Sequence, residues 1–226
     1  MISYMHYVYT IFEILIGLVF PRCCVGCGKD GISICPNCLS RSPLSTRNGT
    51  IDKDIISVFD YRHPIIREAI WLLKYRRHRE ISHNLGRILY DYLIEEMAER
   101  TLFSHFTDPL LIAIPSAKAR RNFRGFNQAE LLMRAIKEHD TENRFTIVPS
   151  VLTKKKNTPP QAKIKNKQAR LSNLRGAFSV SDTAKVENRN IILIDDVATT
   201  GATITEAKRA LLAGGAKRVI GLTVAH

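Results

Sequence analysis

The sequence is poor in cysteine and has no long uninterrupted apolar run. Its 226 residues include five cysteines, which are too few for a secreted disulfide scaffold, and four of them form two Cys-x-x-Cys pairs, as is typical of a reducing compartment. The longest apolar run, residues 7–20, is interrupted by Glu13, is shorter than the ~20 residues of a membrane span and has no Lys or Arg before Arg22. We therefore expect a cytoplasmic protein without integral membrane association. Residues 7–20 would form either a short helix packed on the body or an interfacial membrane helix, and their lack of basic residues argues against the second.

Acidic residues are also scarce relative to basic ones. The chain has 34 Lys and Arg against 21 Asp and Glu, a net charge of +13, which favours a partner that carries phosphate groups. The hydrophobic fraction of 45% and charged fraction of 24% are those of an ordinary globular protein. The length allows one domain plus a small appendage. We expect an N-terminal helix and a cysteine module in residues 1–50, which end in a polar linker, and a second domain in residues 51–226.

From residue 55 onward, strand-like and helix-like patterns alternate. The predicted strands are residues 55–61, 110–114, 191–194 and 219–224. One predicted helix begins at Pro64, and the others cover residues 85–93, 128–138 and 203–212. This alternation predicts an α/β fold with a mainly parallel sheet and flanking helices. Ligands of such folds bind at the carboxyl ends of the strands, so the loops after residues 114 and 194 are expected on the functional edge.

Two adjacent carboxylates, Asp195 and Asp196, directly follow the predicted strand at residues 191–194, and hydroxyl residues and a glycine lead into the next helix. Adjacent carboxylates can accept hydrogen bonds from a vicinal diol and can stabilise positive charge at a nearby anomeric carbon. A helix N-terminus binds anions, and Gly201 permits close approach of a phosphate. A diol beside a phosphate describes a ribose 5-phosphate. The simpler alternative is a solvated turn followed by a helix cap at Thr203.

The whole string carries more information than its parts. Residues 191–203 read Ile-Ile-Leu-Ile-Asp-Asp-Val-Ala-Thr-Thr-Gly-Ala-Thr, which resembles the phosphoribosyl diphosphate (PRPP) motif of type I phosphoribosyltransferases at every position. No Gly-Lys-Ser/Thr loop is present, and the Gly-x-Gly-x-x-Gly string at residues 26–31 lies among the cysteines and does not join a predicted strand to a helix, which disfavours ATP and dinucleotides. The resemblance implies a catalytic role near the sugar for Asp195 and Asp196. It implies PRPP contacts at Ala198, Thr199, Thr200, Gly201, Ala202 and Thr203.

The loop after Pro115 has four cationic side chains and no acid before Glu130. Such cations could hold a pyrophosphate and, with Mg²⁺, neutralise its charge as it leaves. The alternative is a solvated basic loop. In type I phosphoribosyltransferases this loop holds pyrophosphate. The resemblance implies that role for the backbone of Ser116 and Ala117, with Lys118, Arg120 and Arg121 as side-chain contacts.

Residues 124–128, Arg-Gly-Phe-Asn-Gln, resemble the signature of the competence protein ComF family. The similar proteins begin with Phe-Pro and a four-cysteine ribbon. They also carry, in the order found here, Thr158, Gln161, Arg170, Asn173, Gly176 and Phe178. The resemblance covers residues 20–224 and departs from the pattern after Lys74, where a glycine is expected and residues 76–78 are Arg-Arg-His. It implies a function in natural transformation, in the handling of internalised single-stranded DNA, alongside other DNA-uptake proteins.

Residues 154–175 contain eight Lys or Arg and no acid, with two prolines between them. Like charges at this density keep a segment extended until an anion binds. The segment could fold over bound PRPP as a lid, contact a nucleic-acid backbone, or be an inert solvated loop.

Four of the cysteines have the spacing of a metal site. Cys24 and Cys27 form one Cys-x-x-Cys turn, and Cys35 and Cys38 form another. Two such turns complete a closed tetrahedral Zn²⁺ site, which is structural because no position is left for a substrate. Pairing of Cys23 with Cys27 fits less well, and a thiol-exchange function is the alternative to zinc.

These patterns favour a zinc-ribbon, phosphoribosyltransferase-like protein that binds PRPP and Mg²⁺. The alternatives are a metabolic transferase for a nucleobase and a PRPP-sensing module without turnover. Catalysis stays undecided because no residue for an acceptor can be named, and any hood over the acceptor must come from the N-terminal part of the chain.

Overall fold

The structure, a computed structural model, describes residues 23–45, 52–75, 79–117, 124–155 and 174–226. The chain divides into two units, one that ends at Ser42 and one that comprises Pro43–His226. In the first unit, helix α1 (Pro36–Ser40) begins after Cys35, whose Sγ accepts a hydrogen bond from the backbone N–H of Cys38. Proline suits the first position of a helix, where its missing N–H costs no hydrogen bond.

The second unit contains the predicted alternation of strands and helices. In chain order its elements are β1 (Ile55–Phe59), α2 (Pro64–Tyr75), α3 (Arg79–Ser104), β2 (Leu110–Ala113), α4 (Gln128–His139), β3 (Thr146–Ile147), β4 (Leu152–Lys154), β5 (Phe178–Val180), β6 (Asn190–Val197), α5 (Ala202–Ala213) and β7 (Arg218–Ala225).

Five of the seven strands form one sheet in the order β1-β7-β6-β2-β3, and every pairing in it is parallel. The two central strands are nearly continuous apolar runs because helices cover both faces of such a sheet. Strands β4 and β5 form a separate antiparallel pair. The structure extends the predicted strand at residues 191–194 to Val197, so Asp195 and Asp196 lie within β6 and not in the loop after it.

Helix α5 lies close against the sheet. A Cβ atom at Gly221 would come within 2.6 Å of Ile204 Cγ2, so the strand needs a glycine at this position for the helix to pack. Ile204 is fully buried in the main apolar core, which includes Leu110, Ile191 and Leu193. This contact fixes the first turn of α5 beside the end of β6.

None of the described helices combines the length and the apolar character that a bilayer-crossing helix needs. The apolar run at residues 7–20 lies outside the described residues.

Candidate functional site

Strand β6, between β7 and β2, carries the two adjacent carboxylates to the carboxyl edge of the sheet. Residues 190–194 are buried, and the side chains become partly accessible from Asp195 onward. The backbone N–H of Asp196 donates to Asp195 Oδ1 at 2.9 Å, and that of Val197 donates to Asp196 Oδ1 at 2.9 Å. Each carboxylate therefore has one oxygen that accepts a hydrogen bond from the backbone, and the second oxygen of Asp196 faces Lys74.

The two acids have different surroundings. Burial, and then the neighbouring charge of Asp196, raise the pKa of Asp195 to about 8. Lys74 Nζ lies 3.0 Å from Asp196 Oδ2, and both side chains are mostly shielded from solvent. Asp196 thus has a cationic partner, while Asp195 is the acid whose charge is disfavoured.

Lys74 was not among the site residues predicted from the sequence, because the departure from the family pattern just after it left its role open. It occupies the last turn of α2. The sequence did hold a hint of its position, since Ile66, Ile70 and Leu73 form the buried face of this helix and Lys74 is the next residue after Leu73. The position of its partner, more than a hundred residues away, required the fold.

The loop after β6 forms a small cradle at the start of α5. Gly201 has φ +72°, a left-handed conformation that favours glycine, and α5 begins at the next residue. The backbone N–H of Ala198 donates to Ala225 O at 3.0 Å and holds the loop against β7. The structure gathers Asp195 and all six predicted contact residues around one cavity, which is lined by Asp195, Val197, Ala198, Thr199, Thr200, Gly201, Ala202, Thr203 and Ile204.

The loop after β2 lies next to this cradle because β2 and β6 are paired neighbours, with Ala113 opposite Ile194. The hydroxyl oxygen of Ser116 is shielded from solvent and has no hydrogen-bond partner within the described part of the chain. Ser116 lines a second cavity together with Arg134 and Lys154, and Ala117 is buried. Of the predicted contacts of this loop, Lys118, Arg120 and Arg121 lie outside the described residues.

The Arg-Gly-Phe-Asn stretch supports the same edge. Asn127 caps α4 by accepting a hydrogen bond from the N–H of Ala129, and its amide donates to Ile114 O at 3.0 Å. The Asn127 side chain is 5% exposed, and its two hydrogen bonds join the start of α4 to the residue after β2. Arg124 donates to Gln128 Oε1 at 3.2 Å, and its guanidinium carbon lies 5.1 Å from the centre of the Tyr75 ring.

The four predicted metal ligands come together in the first unit. The sulfur atoms of Cys24, Cys27, Cys35 and Cys38 all lie within 4.8 Å of one another. The sulfurs of Cys27 and Cys35 are 3.7 Å apart, and a tetrahedron with Zn–S bonds of about 2.3 Å places its sulfurs about 3.8 Å apart. The donor set therefore fits zinc.

Two further cysteine contacts agree with this assignment of ligands. The backbone N–H of Cys35 donates to Cys24 Sγ at 3.3 Å. Burial would raise the pKa of Cys24, but the backbone N–H groups directed at its sulfur lower this pKa to about 6, whereas hydrogen bonds with the neighbouring thiols raise the pKa of Cys38 to about 12. Cys23 lies outside the group of four, and its thiol donates to Asp30 Oδ1 at 3.2 Å.

Comparison with known proteins identifies relatives over most of the chain. The family model of the phosphoribosyl transferase domain matches residues 124–226. The chain is 31% identical to DNA utilization protein YhgH of Shigella flexneri over 191 residues, which are 82% of this chain and 74% of that protein. It is 31% identical to competence protein F of Haemophilus influenzae over 201 residues, 85% of this chain and 81% of the relative. It is 29% identical to competence protein ComFC of Bacillus subtilis over 200 residues, 88% of this chain and 73% of the relative.

Solved structures similar to the chain include a hypoxanthine phosphoribosyltransferase from Staphylococcus aureus, at 14% identity and a TM-score of 0.36. That match covers 64% of this chain and 62% of that chain, less than two thirds of its length. A hypoxanthine phosphoribosyltransferase from Trypanosoma cruzi matches at 8% identity and a TM-score of 0.38, with 64% of each chain covered. The domain match and the parallel sheet with flanking helices confirm the predicted phosphoribosyltransferase-like fold class.

Proposed function

The chain belongs to the competence protein ComF family, and from this membership and the site's geometry we propose that it binds PRPP with Mg²⁺ at the carboxyl edge of its sheet. One observation carries the proposal. A single cavity brings Asp195 together with the loop that opens α5, so an acid that can accept hydrogen bonds from a diol and a cradle that can hold a phosphate are neighbours. A ribose 5-phosphate requires this pair of features.

The diphosphate of PRPP would lie toward the loop after β2. The buried hydroxyl of Ser116 supports this orientation, because a ligand oxygen there would satisfy a polar group that has no partner among the described residues. Mg²⁺ would accompany PRPP on its phosphate oxygens and offset their charge. Lys74, which pairs with Asp196, would limit the repulsion between the two acids and the incoming phosphates.

If the protein transfers the phosphoribosyl group, the bond between C1 and the pyrophosphate oxygen breaks and the electron pair leaves with pyrophosphate. Asp196, and Asp195 when it is ionised, would then stabilise the positive charge on the sugar. The acceptor of such a transfer is not identified by any described side chain. The two alternatives to a function in DNA uptake are therefore transfer to a nucleobase and PRPP sensing without turnover. Measuring pyrophosphate release with a panel of acceptors separates them, because only a transferase releases pyrophosphate.

The names of the relatives lead to the cellular part of the proposal, since they are called competence and DNA utilization proteins. We propose that the chain acts in DNA uptake, where it handles internalised single strands, and that the four cysteines hold a structural zinc ion. The net charge of +13 supports contact with a phosphate backbone.

Calorimetric titration with PRPP and Mg²⁺ tests the central proposal. The double substitution Asp195→Asn with Asp196→Asn should weaken binding by about 100-fold or more, because hydrogen bonds to charged groups contribute roughly 1.5–3 kcal/mol each. The matched control is Asp91→Asn with Asp182→Asn, which removes the same charge from accessible positions away from the cavity. Equal PRPP affinity in the wild type and in both double variants would contradict the proposed site.

A further inference from the structure

Helix α2 exposes two aromatic rings beside the site. Trp71 is 44% exposed and Tyr75 is 51% exposed, and their ring centroids are 5.6 Å apart. They are the only aromatic residues among the exposed large hydrophobic side chains of the described residues. We refer to this pair as the aromatic ledge. An aromatic pair of this size on a surface exposes apolar area that a ligand can cover.

The charge around the ledge is mainly positive. The guanidinium of Arg124 lies 5.1 Å from the Tyr75 ring centre, within the range of a cation–π contact, and Arg67 is exposed one helical turn before Trp71. Glu68 is the acid of this helix. Exposed rings next to Arg side chains are the combination that binds single-stranded nucleic acids, because the bases stack on the rings while the cations attract the phosphates.

The ledge is also close to the proposed PRPP site. Lys74 Nζ lies 3.0 Å from Asp196 Oδ2, so the last turn of α2, which also carries Tyr75, is joined to the acids at the carboxyl edge of the sheet. A ligand on the ledge would lie beside bound PRPP.

From this geometry we infer that the aromatic ledge stacks an unpaired base of single-stranded DNA at the margin of the PRPP site. The inference rests on the proposed function, since it names the surface on which the single strand is held. A protein partner is the alternative occupant, because interfaces between proteins are also enriched in aromatic and Arg side chains. The net charge of +13 favours the nucleic acid.

The protein provides its own probe, because Trp71 is its single tryptophan. Titration of the full chain with a 15-nucleotide oligothymidylate at low salt should quench the tryptophan fluorescence in a saturable way, since stacking on an indole quenches its emission. A duplex of the same length and PRPP alone should leave the emission largely unchanged. Equal quenching by the duplex would overturn the claim for unpaired bases, and equal quenching by free thymidine at the same concentration would assign the ledge to a small-molecule acceptor.

Affinities from the anisotropy of a labelled oligonucleotide complete the test. Tyr75→Leu and Trp71→Leu should each weaken binding about tenfold, and Tyr92→Leu on α3 is the control that should not. The variants should also keep the circular dichroism and the PRPP affinity of the wild type. If the oligonucleotide binds without quenching and with equal affinity in all variants, base stacking on the ledge is contradicted, while the proposed binding of PRPP and of single strands is not. If the wild type binds PRPP but no oligonucleotide, the nucleic-acid part of the proposed function is overturned together with the ledge.

Discussion

At the scale of single residues, the site combines two carboxylates that cannot both be charged without cost. They are adjacent at the partly accessible end of β6, where Lys74 partners Asp196 and shielding from solvent raises the pKa of Asp195. Stability alone would not favour a shielded carboxyl group at this position. The arrangement is reasonable if a ligand with hydroxyl groups satisfies these oxygens when it binds, since functional sites commonly trade stability for binding.

The raised pKa of Asp195 predicts how stability changes with pH. Because the folded-state pKa, about 8, lies above the unfolded value of about 3.9, the folded protein binds more protons than the unfolded chain between these pH values. Stability should therefore fall as the pH rises from about 4 to about 8. Asp195→Asn removes this dependence, and urea unfolding should find the variant more stable than the wild type by about 1–3 kcal/mol at pH 8 and nearly equal to it at pH 4.

The exposed acid Asp91 provides the control for this experiment, since Asp91→Asn should leave the pH dependence of the wild type intact. A wild type and an Asp195→Asn variant with parallel stability profiles between pH 4 and pH 8 would show that Asp195 titrates normally.

At the scale of helices and strands, periodicity predicted the long elements and missed the short ones. The apolar runs gave the four main strands because a strand buried on both faces is apolar throughout. Strands β3, β4 and β5 have two or three residues each, too few to display an alternating pattern. Strand β6 continues through its two acids because the pairing with β7 continues to Val197 and Ala225, which the sequence of β6 alone does not reveal.

The same distinction applies to the site. The loop after β6 was predictable because its residues are consecutive and its chemistry is local. The contacts of Lys74 with Asp196 and of Arg124 with Tyr75 join distant parts of the chain, so they depend on the packing of α2 and on the fold around it. Asn127 was recognisable in the sequence as part of a signature, but its hydrogen bond to Ile114 O became evident only from the structure.

The described part of the first unit, residues 23–42, buries few apolar side chains. Its buried apolar side chains among the described residues are Ile34 and Leu39, in addition to two of the cysteines. Domains below about 40 residues usually need disulfides, metals or association to fold. The four sulfurs are the groups through which a metal would supply this stability.

We expect removal of the metal to unfold the first unit and to leave PRPP binding by the second unit unchanged. The purified protein should contain about one zinc ion per chain, and Cys27→Ser with Cys38→Ser should abolish zinc binding and the ordered amide signals of residues 23–42 in NMR spectra. The PRPP affinity should persist, because the residues that carry the site and its core belong to the second unit. Cys23→Ser, which removes a thiol outside the group of four, is the control that should retain the metal. A metal-free wild type with an ordered first unit would contradict a structural zinc site.

At the scale of the whole molecule, the excess of positive charge is unevenly distributed along the chain. Residues 154–175 hold eight of the 34 Lys and Arg without a single acid, and most of this segment lies outside the described residues. Elsewhere many cations have acidic neighbours, such as Lys208 with Asp54 and Arg209 with Glu206. Since no acid interrupts residues 154–175 in the sequence, the segment would attract an external polyanion.

Salt dependence measures how many of these cations contact a strand. Each phosphate contact on single-stranded nucleic acid contributes about 0.7 to the slope of log K against log salt concentration, so Lys163→Glu, Lys165→Glu and Lys167→Glu together should reduce the slope for an oligothymidylate by about 2. The control is Lys185→Glu, Arg189→Glu and Lys217→Glu, which changes the net charge by the same amount at exposed positions near the amino ends of β6 and β7. If both triple variants lower the affinity equally and have the same slope, the binding reflects net charge alone, and residues 154–175 do not contact the strand.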